Sequence, residues 1–233
     1  MKVIILAGGQ GTRMNGDPEA LPKSLIKIGE KPILWHIMKY YASYGFDEFI
    51  VAAGYKAQDI REYGCSQMEF DVKVVDTGFF TQTGGRIKRL DCFIKNDETF
   101  MISYANCLSD VNLKEFMAFH EKHGKLATIA TVHPHLEAGK VEFSGDQITN
   151  FEKASTDKSL WINGGYLILN KEVLNRITDD NVRLESHLLV QLAQEGQLMG
   201  FKHEGFWQSM DTYKDKLELD ELWDSGKALW KRD

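Results

Sequence analysis

Gly8, Gly9, Gly11, Thr12 and Arg13 follow directly on the apolar run Val3 to Ala7, and Pro22-Lys23 comes soon after. Glycines without a Cβ let backbone N–H groups approach a phosphate chain closely, and an arginine and a lysine supply the charge that phosphate oxygens need. The implied ligand is a nucleoside triphosphate. Two commoner glycine motifs do not fit: a dinucleotide fingerprint starting at Gly9 needs a third glycine where the chain has Met14, and a P-loop needs Gly-Lys-Ser/Thr, which is absent. Gly-Gly-x-Gly alone is an ordinary strand-to-turn cluster. Arg13 and Lys23 give it a chemical reading.

The elements that position these residues read as an α/β, Rossmann-like fold with a mixed, mostly parallel sheet flanked by helices. Val3 to Ala7 suits a buried parallel strand, and ligands in such sheets bind beyond the strands' carboxyl ends. Ile33, Leu34, Ile37, Met38 and Tyr41 recur at helical spacing, and Phe49 to Ala53 is a second strand, so residues 2–53 make a strand–helix–strand crossover. Val72 to Val75, Phe100 to Ser103, Ala127 to Val132 and Tyr166 to Leu169 read as further strands, and Leu113 to His123 as a helix. From about residue 138 the segments shorten and alternate, Lys140 to Phe143 and Ile148 to Glu152, which predicts a small lobe folded over the sheet for an acceptor. Leu188 to Leu192 reads as helical and Leu198 to Lys202 as extended. Tyr213 to Ser225 is a further helix, with Leu217, Leu219 and Leu222 as candidate core. The expectation is one domain over 1–233, with a nucleotide-binding core at 1–135 and an acceptor-binding part with C-terminal helices at 136–233.

A chain of 233 residues with 43% hydrophobic and 27% charged residues can bury a substantial core, and its net charge of −6 argues against a nucleic-acid partner. Three cysteines without C-x-x-C spacing support neither a disulfide framework nor a thiolate zinc site. No stretch approaches the roughly 18 apolar residues of a spanning helix, so a cytoplasmic protein without a membrane partner is expected.

The matching stretches Ile4 to Arg13, Lys31 to Met38, Gly54-Tyr55-Lys56, Asp76-Thr77-Gly78, Thr83 to Arg89, Asn163-Gly164-Gly165 and Gly205 to Thr212 span nearly the whole chain. On them the chain resembles the sugar-phosphate nucleotidyltransferases, a GT-A-like family, and within it most closely the glucose-1-phosphate cytidylyltransferase branch. The resemblance implies transfer of CMP from CTP to a phosphorylated acceptor with release of pyrophosphate. The acceptor phosphate is already an anionic nucleophile, so catalysis rests on alignment and on neutralising charge at the α-phosphorus. By the same resemblance, Leu6, Ala7, Gly8, Gly9, Gly11, Thr12 and Gly85 border the nucleotide, and Arg86 meets the triphosphate or base edge. Arg13 grips the β- and γ-phosphates and Lys23 the α-phosphate. Lys153, Asn163, Gly164 and Glu185 line the acceptor site, and Asp211 with Asn106 holds Mg²⁺.

Departures from the family pattern fall on the acceptor and metal side. Ala105-Asn106-Cys107 stands where the family has Gly-Asp-Gly, so the second metal carboxylate becomes an amide; Asp110 is either a substitute carboxylate or a charge at a helix start. Glu152-Lys153-Ala154 replaces Glu-Lys-Pro, and His187 replaces an acceptor-side carboxylate. These changes imply an acceptor other than plain glucose 1-phosphate, such as an amino-acid phosphate used in surface-polysaccharide or capsule modification. Glucose 1-phosphate itself, and a nucleotide-binding regulatory homologue, are the alternatives. The stretch between Tyr63 and Val72 is shorter than in relatives, so a homo-oligomer is possible but not of assumed form. His133-Pro134-His135 reads as solvated loop, His36 as a packed helix residue, and Trp207 as either acceptor stacking or core. Lys88 and Arg89 read as surface charges, one of them a candidate partner for Asp76.

Overall fold

Val3, Ile5 and Ala7 of β1 (Lys2–Ala7) are buried in one apolar cluster and Ile4 in another, so β1 is covered on both faces. That is the environment of a central strand in a sheet with two helical layers. The computed structural model describes residues 1–9, 21–67, 69–135, 139–153 and 156–232. After β1 come the short strands β2 (Lys27–Ile28) and β3 (Lys31–Pro32), then α1 (Ile33–Ala42), β4 (Glu48–Ala53), α2 (Ala57–Gln67), β5 (Asp71–Asp76) and α3 (Thr83–Arg89). They are followed by β6 (Thr99–Tyr104), β7 (Cys107–Ser109), α4 (Leu113–His123), β8 (Ala127–Val132), β9 (Lys140–Ser144) and β10 (Gln147–Glu152). The remaining elements are β11 (Ile162–Asn170), α5 (Leu189–Gln194), β12 (Leu198–Lys202), β13 (Trp207–Ser209) and α6 (Tyr213–Asp224).

The main sheet has the order β12-β8-β11-β6-β1-β4-β5. β1 runs parallel to β4 and β6, β4 to β5, and β12 to β8, whereas β11 is antiparallel to both β6 and β8. The mixed, mostly parallel sheet expected from the sequence is therefore the one observed. Reversal of β11 brings its first residues to the edge where β1, β4 and β6 end. The register against β8 shifts between Asn163 and Leu167, and Gly165 within the shift has φ +79°. A Cβ on Gly165 would lie 3.2 Å from both Cys107 Sγ and Tyr104 Cβ, so the bulge needs glycine there.

Two expectations are corrected. The β9–β10 hairpin does not fold over the sheet: its strands pair only with each other, and Val141, Phe143, Ile148 and Phe151 are exposed. In α6, Leu219 is buried and Leu222 packs on the core, but Leu217 is exposed. Leu219 and Leu222 share a helix face at i,i+3 spacing, and Leu217 does not.

Candidate functional site

Lys23 opens a short 3-10 turn behind Pro22, and its Nζ lies 2.6 Å from Asp211 Oδ1. Asp211 reaches that point because β13 pairs antiparallel with β7, with Ser209 opposite Cys107, and Met210 N–H then donates to Asn106 O at 2.8 Å. The strand pairing carries Asn106 and Asp211 side by side, and Asn106 Nδ2 donates to Asp211 Oδ1 at 3.2 Å. The start of α6 locks the backbone. Asp215 Oδ2 accepts from Asp211 N at 2.8 Å and Thr212 N at 2.7 Å, while Thr212 Oγ1 accepts from Asp215 N, a capping box. The Thr212-x-x-Asp215 spacing was visible in the sequence and would have identified this clasp.

Asn106 forms part of the wall between that pair and a cavity of about 600 Å³ lined by Leu6, Gly8, Gly9, Arg86, Tyr104 and Glu185 among others. The cavity lies beyond the carboxyl ends of β1 and β6, where the sheet rule places ligands. Glu185 stands in the irregular helical turn Leu184–Leu188, and both its oxygens are held: Tyr104 Oη donates to one at 2.5 Å and Thr83 Oγ1 to the other at 3.0 Å. Asn163 Nδ2 donates to Tyr104 Oη at 3.2 Å, and Leu184 N to Thr83 Oγ1 at 2.8 Å. Burial, followed by the charge of Glu185, pushes the Tyr104 phenol well up, so it stays an O–H donor. Tyr104 and Thr83 are functional candidates that the sequence reading did not single out.

Leu6, Gly8, Gly9, Asn106 and Glu185 thus share one cavity, and Asn163 joins them through Tyr104. Ala7 is buried beneath the turn. Gly164 O accepts from Trp207 Nε1 at 2.7 Å, which gives that indole a structural bond to β11. Gly11, Thr12, Arg13 and Ala154 lie outside the described residues.

Several site expectations change. Arg86 is 5% exposed, and its guanidinium donates to Ala53 O, Thr77 Oγ1, Gly78 O, Gly8 O and Phe79 O. It ties together the ends of β1, β4 and β5 and at the same time lines the cavity. Gly85 does not line the cavity: a Cβ there would lie 2.7 Å from the Asp180 backbone, which is packed across it. Lys153 is exposed just past β10 and is absent from the cavity lining, because the hairpin stands off the sheet. Arg89 pairs with Asp180, not Asp76, through Nε at 2.9 Å and Nη2 at 2.5 Å. Asp110 is not the α4 cap. Asn112 caps α4, and Asp110 Oδ1 lies 3.0 Å from His203 Nε2. His133 is packed, its ring centroid 3.8 Å from that of Trp161 at a 40° tilt and its side chain 8% exposed, whereas His135 is exposed as expected. His187 Nδ1 accepts from Arg183 N, a local brace.

The residues that could hold a divalent cation are Asp211 and Asn106. Among the described residues no group of three or more His, Cys, Asp or Glu side chains is arranged to hold a metal, which excludes a closed, all-protein cage there. One carboxylate and one amide fit Mg²⁺, which takes few protein ligands and completes its shell with substrate phosphates and water. Asn106 Oδ1 now faces the Cys107 thiol at 3.6 Å, and a half-turn of the amide would exchange its oxygen for its nitrogen beside Asp211. Burial, then Asp211, pushes that thiol up to about 12, so Cys107 is an unreactive neighbour.

Comparison with known proteins agrees with this geometry. The chain is 39% identical over 254 residues to the glucose-1-phosphate cytidylyltransferase of Salmonella typhi, covering 99% of each chain. It is 36% identical over 255 residues to the probable glucose-1-phosphate cytidylyltransferase of Bacillus subtilis, again covering 99% of each. The crystal structure of HddC from Yersinia pseudotuberculosis superposes with a TM-score of 0.76 at 23% identity, covering 95% of this chain and 99% of that one, a likeness of fold. With the nucleotidyl transferase family signature matching residues 2–219, the chain belongs to the nucleotidyl transferase family.

Proposed function

We propose that the protein transfers CMP from CTP to a small phosphorylated acceptor other than plain glucose 1-phosphate, releasing pyrophosphate. The observation that carries the reading is the Lys23–Asp211 pair beside Asn106, at the edge of a cavity floored by the glycine turn. CTP is the nucleotide because relatives 39% and 36% identical over nearly their whole length are cytidylyltransferases. An oxygen of the acceptor phosphate attacks the α-phosphorus of CTP as the bond to the β-phosphate oxygen breaks, and pyrophosphate leaves with that electron pair. Lys23 neutralises charge at the α-phosphate, and the backbone N–H groups of the glycine turn hold the phosphate chain. Mg²⁺ bound at Asp211 and Asn106 would supply further neutralisation of the phosphate oxygens.

The altered acceptor side supports a different acceptor. A carboxylate held on both oxygens faces the cavity, Lys153 stands away from it, and His187 is engaged locally. An amino-acid phosphate is the leading candidate, in the modification of surface polysaccharide by a cytoplasmic enzyme. The test is to incubate the protein with CTP, Mg²⁺ and a panel of phosphorylated acceptors, assaying pyrophosphate and the mass of the CDP-linked product. Ordinary turnover with glucose 1-phosphate, and none with amino-acid phosphates, would overturn the acceptor reading. CTP binding without turnover on any acceptor would favour the regulatory homologue that Asn106 in place of a carboxylate suggests.

A further inference from the structure

Phe79 and Phe80 are 45% and 85% exposed, although burying phenyl rings is favourable by the area removed from water. Both line the 600 Å³ cavity together with Gly8 and Gly9. Arg86 Nη2 donates to Phe79 O at 3.3 Å and to Gly8 O at 3.2 Å, so one nitrogen ties the aromatic strip to the glycine turn. The rings form an edge-to-face series, Tyr55 to Phe79 at 6.1 Å and Phe79 to Phe80 at 4.8 Å. Phe79 is thereby supported on both sides, and Phe80 is left with ring surface open toward the cavity.

A planar ligand group beside a phosphate-binding turn is a nucleobase. Elsewhere in the lining Tyr104, which accepts from Asn163, and Glu185 present polar groups suited to hydroxyls or an ammonium, not a flat ring. We propose that Phe80, buttressed by Phe79, is the stacking platform for the pyrimidine ring of the bound nucleotide. This rests on the CTP reading above. Stacking is tolerant of base identity because every base has a π-face, so the platform adds affinity without choosing between cytosine and uracil.

The experiment compares wild type, Phe80→Ala and Phe80→Trp by calorimetry with CTP, UTP and inorganic tripolyphosphate in Mg²⁺ buffer. Phe80→Ala is expected to weaken CTP and UTP by about ten-fold alike, while tripolyphosphate affinity stays within about two-fold of wild type. Phe80→Trp is expected to keep CTP affinity and to show an indole fluorescence quench on CTP, absent from wild type and from tripolyphosphate titrations. Unchanged CTP affinity in Phe80→Ala overturns the inference alone, as does an equal loss for CTP and tripolyphosphate, which would mean a collapsed loop. Sedimentation showing that Phe80→Ala dissociates an oligomer while CTP affinity holds would make the ring a subunit contact and overturn it too. A wild-type protein that binds no CTP overturns the cytidylyl reading and this inference together.

Discussion

Lys23 Nζ and Asp211 Oδ1, 188 residues apart in the chain, meet at 2.6 Å. The cation and carboxylate neutralise each other, so a triphosphate and metal binding there would exchange one set of partners for another without stranding a charge. Lys23→Ala is expected to lower kcat by at least about a hundred-fold. A partly exposed ion pair contributes only about 0–1 kcal/mol to stability, so thermal unfolding should stay close to wild type. Near-normal kinetics in this variant would remove the lysine from the mechanism.

Asn106→Asp is expected to raise apparent Mg²⁺ affinity several-fold, because it adds a carboxylate to the cation site. In EDTA the same variant should melt below wild type, since a donor to Asp211 becomes a like charge beside it. Mg²⁺ titration by calorimetry and melting with and without chelator read both effects; an Asn106→Asp protein indifferent to Mg²⁺ would place the metal elsewhere.

Arg86→Met should destabilise by about 3 kcal/mol or more, since each buried acceptor left without a donor costs about 1–3 kcal/mol. Thr77 Oγ1, Gly78 O and Phe79 O take their donor from this guanidinium, whereas Ala53 O also accepts from Thr77 N and Oγ1 and Gly8 O from Tyr55 N. Arg86→Lys should not rescue it, because an ammonium cannot span the same fork. Urea unfolding midpoints decide this; a midpoint equal to wild type would show that the strand ends hold without the arginine.

Tyr104→Phe removes one of the two donors to Glu185 and the acceptor of Asn163. The expected result is a several-fold rise in acceptor KM with CTP KM unchanged. A shift in CTP KM instead would assign this wall of the cavity to the nucleotide.

His36 and His120 carry a pH signature. Burial lowers both below the usual 6.5. His36 Nε2 donates to Ile28 O at 2.9 Å while Nδ1 accepts from Trp230 Nε1 at 3.4 Å, and His120 Nε2 faces Asn170 Oδ1 with Nδ1 at Thr128 Oγ1, arrangements that use the neutral ring. The unfolded state therefore takes up protons first. Stability should be level above about pH 6.5 and fall as pH drops toward the depressed folded values. Melting temperatures from pH 8 to pH 5 would show it, and His36→Gln should flatten part of the slope.

Much of the frame was legible because burial writes itself into strand and helix patterns. Leu113 to His123, Ala127 to Val132 and Leu198 to Lys202 form as their apolar spacing and flanking turn residues dictate. The direction of β11 had no local signal, because alternation is the same read either way along a strand. The Pro22-Lys23 step pointed to the lysine, and the family resemblance to Asn106 and Asp211, which the β7–β13 pairing brings side by side. The roles of Arg86 and Gly85 were not legible, because the carbonyls and the Asp180 backbone that engage them come from distant segments. Likewise the hairpin's alternation showed a ribbon with one apolar face but not that the face would be left uncovered.

The clasp made by Asp215 has a consequence for biosynthesis. A nascent chain that has emerged as far as Asp211 has the sheet and Lys23, yet the Asp211 N–H meets its acceptor only once the first turn of α6, with Asp215, has wound. The Asp211 end of the ion pair is therefore fixed last, after residue 215 has left the ribosome.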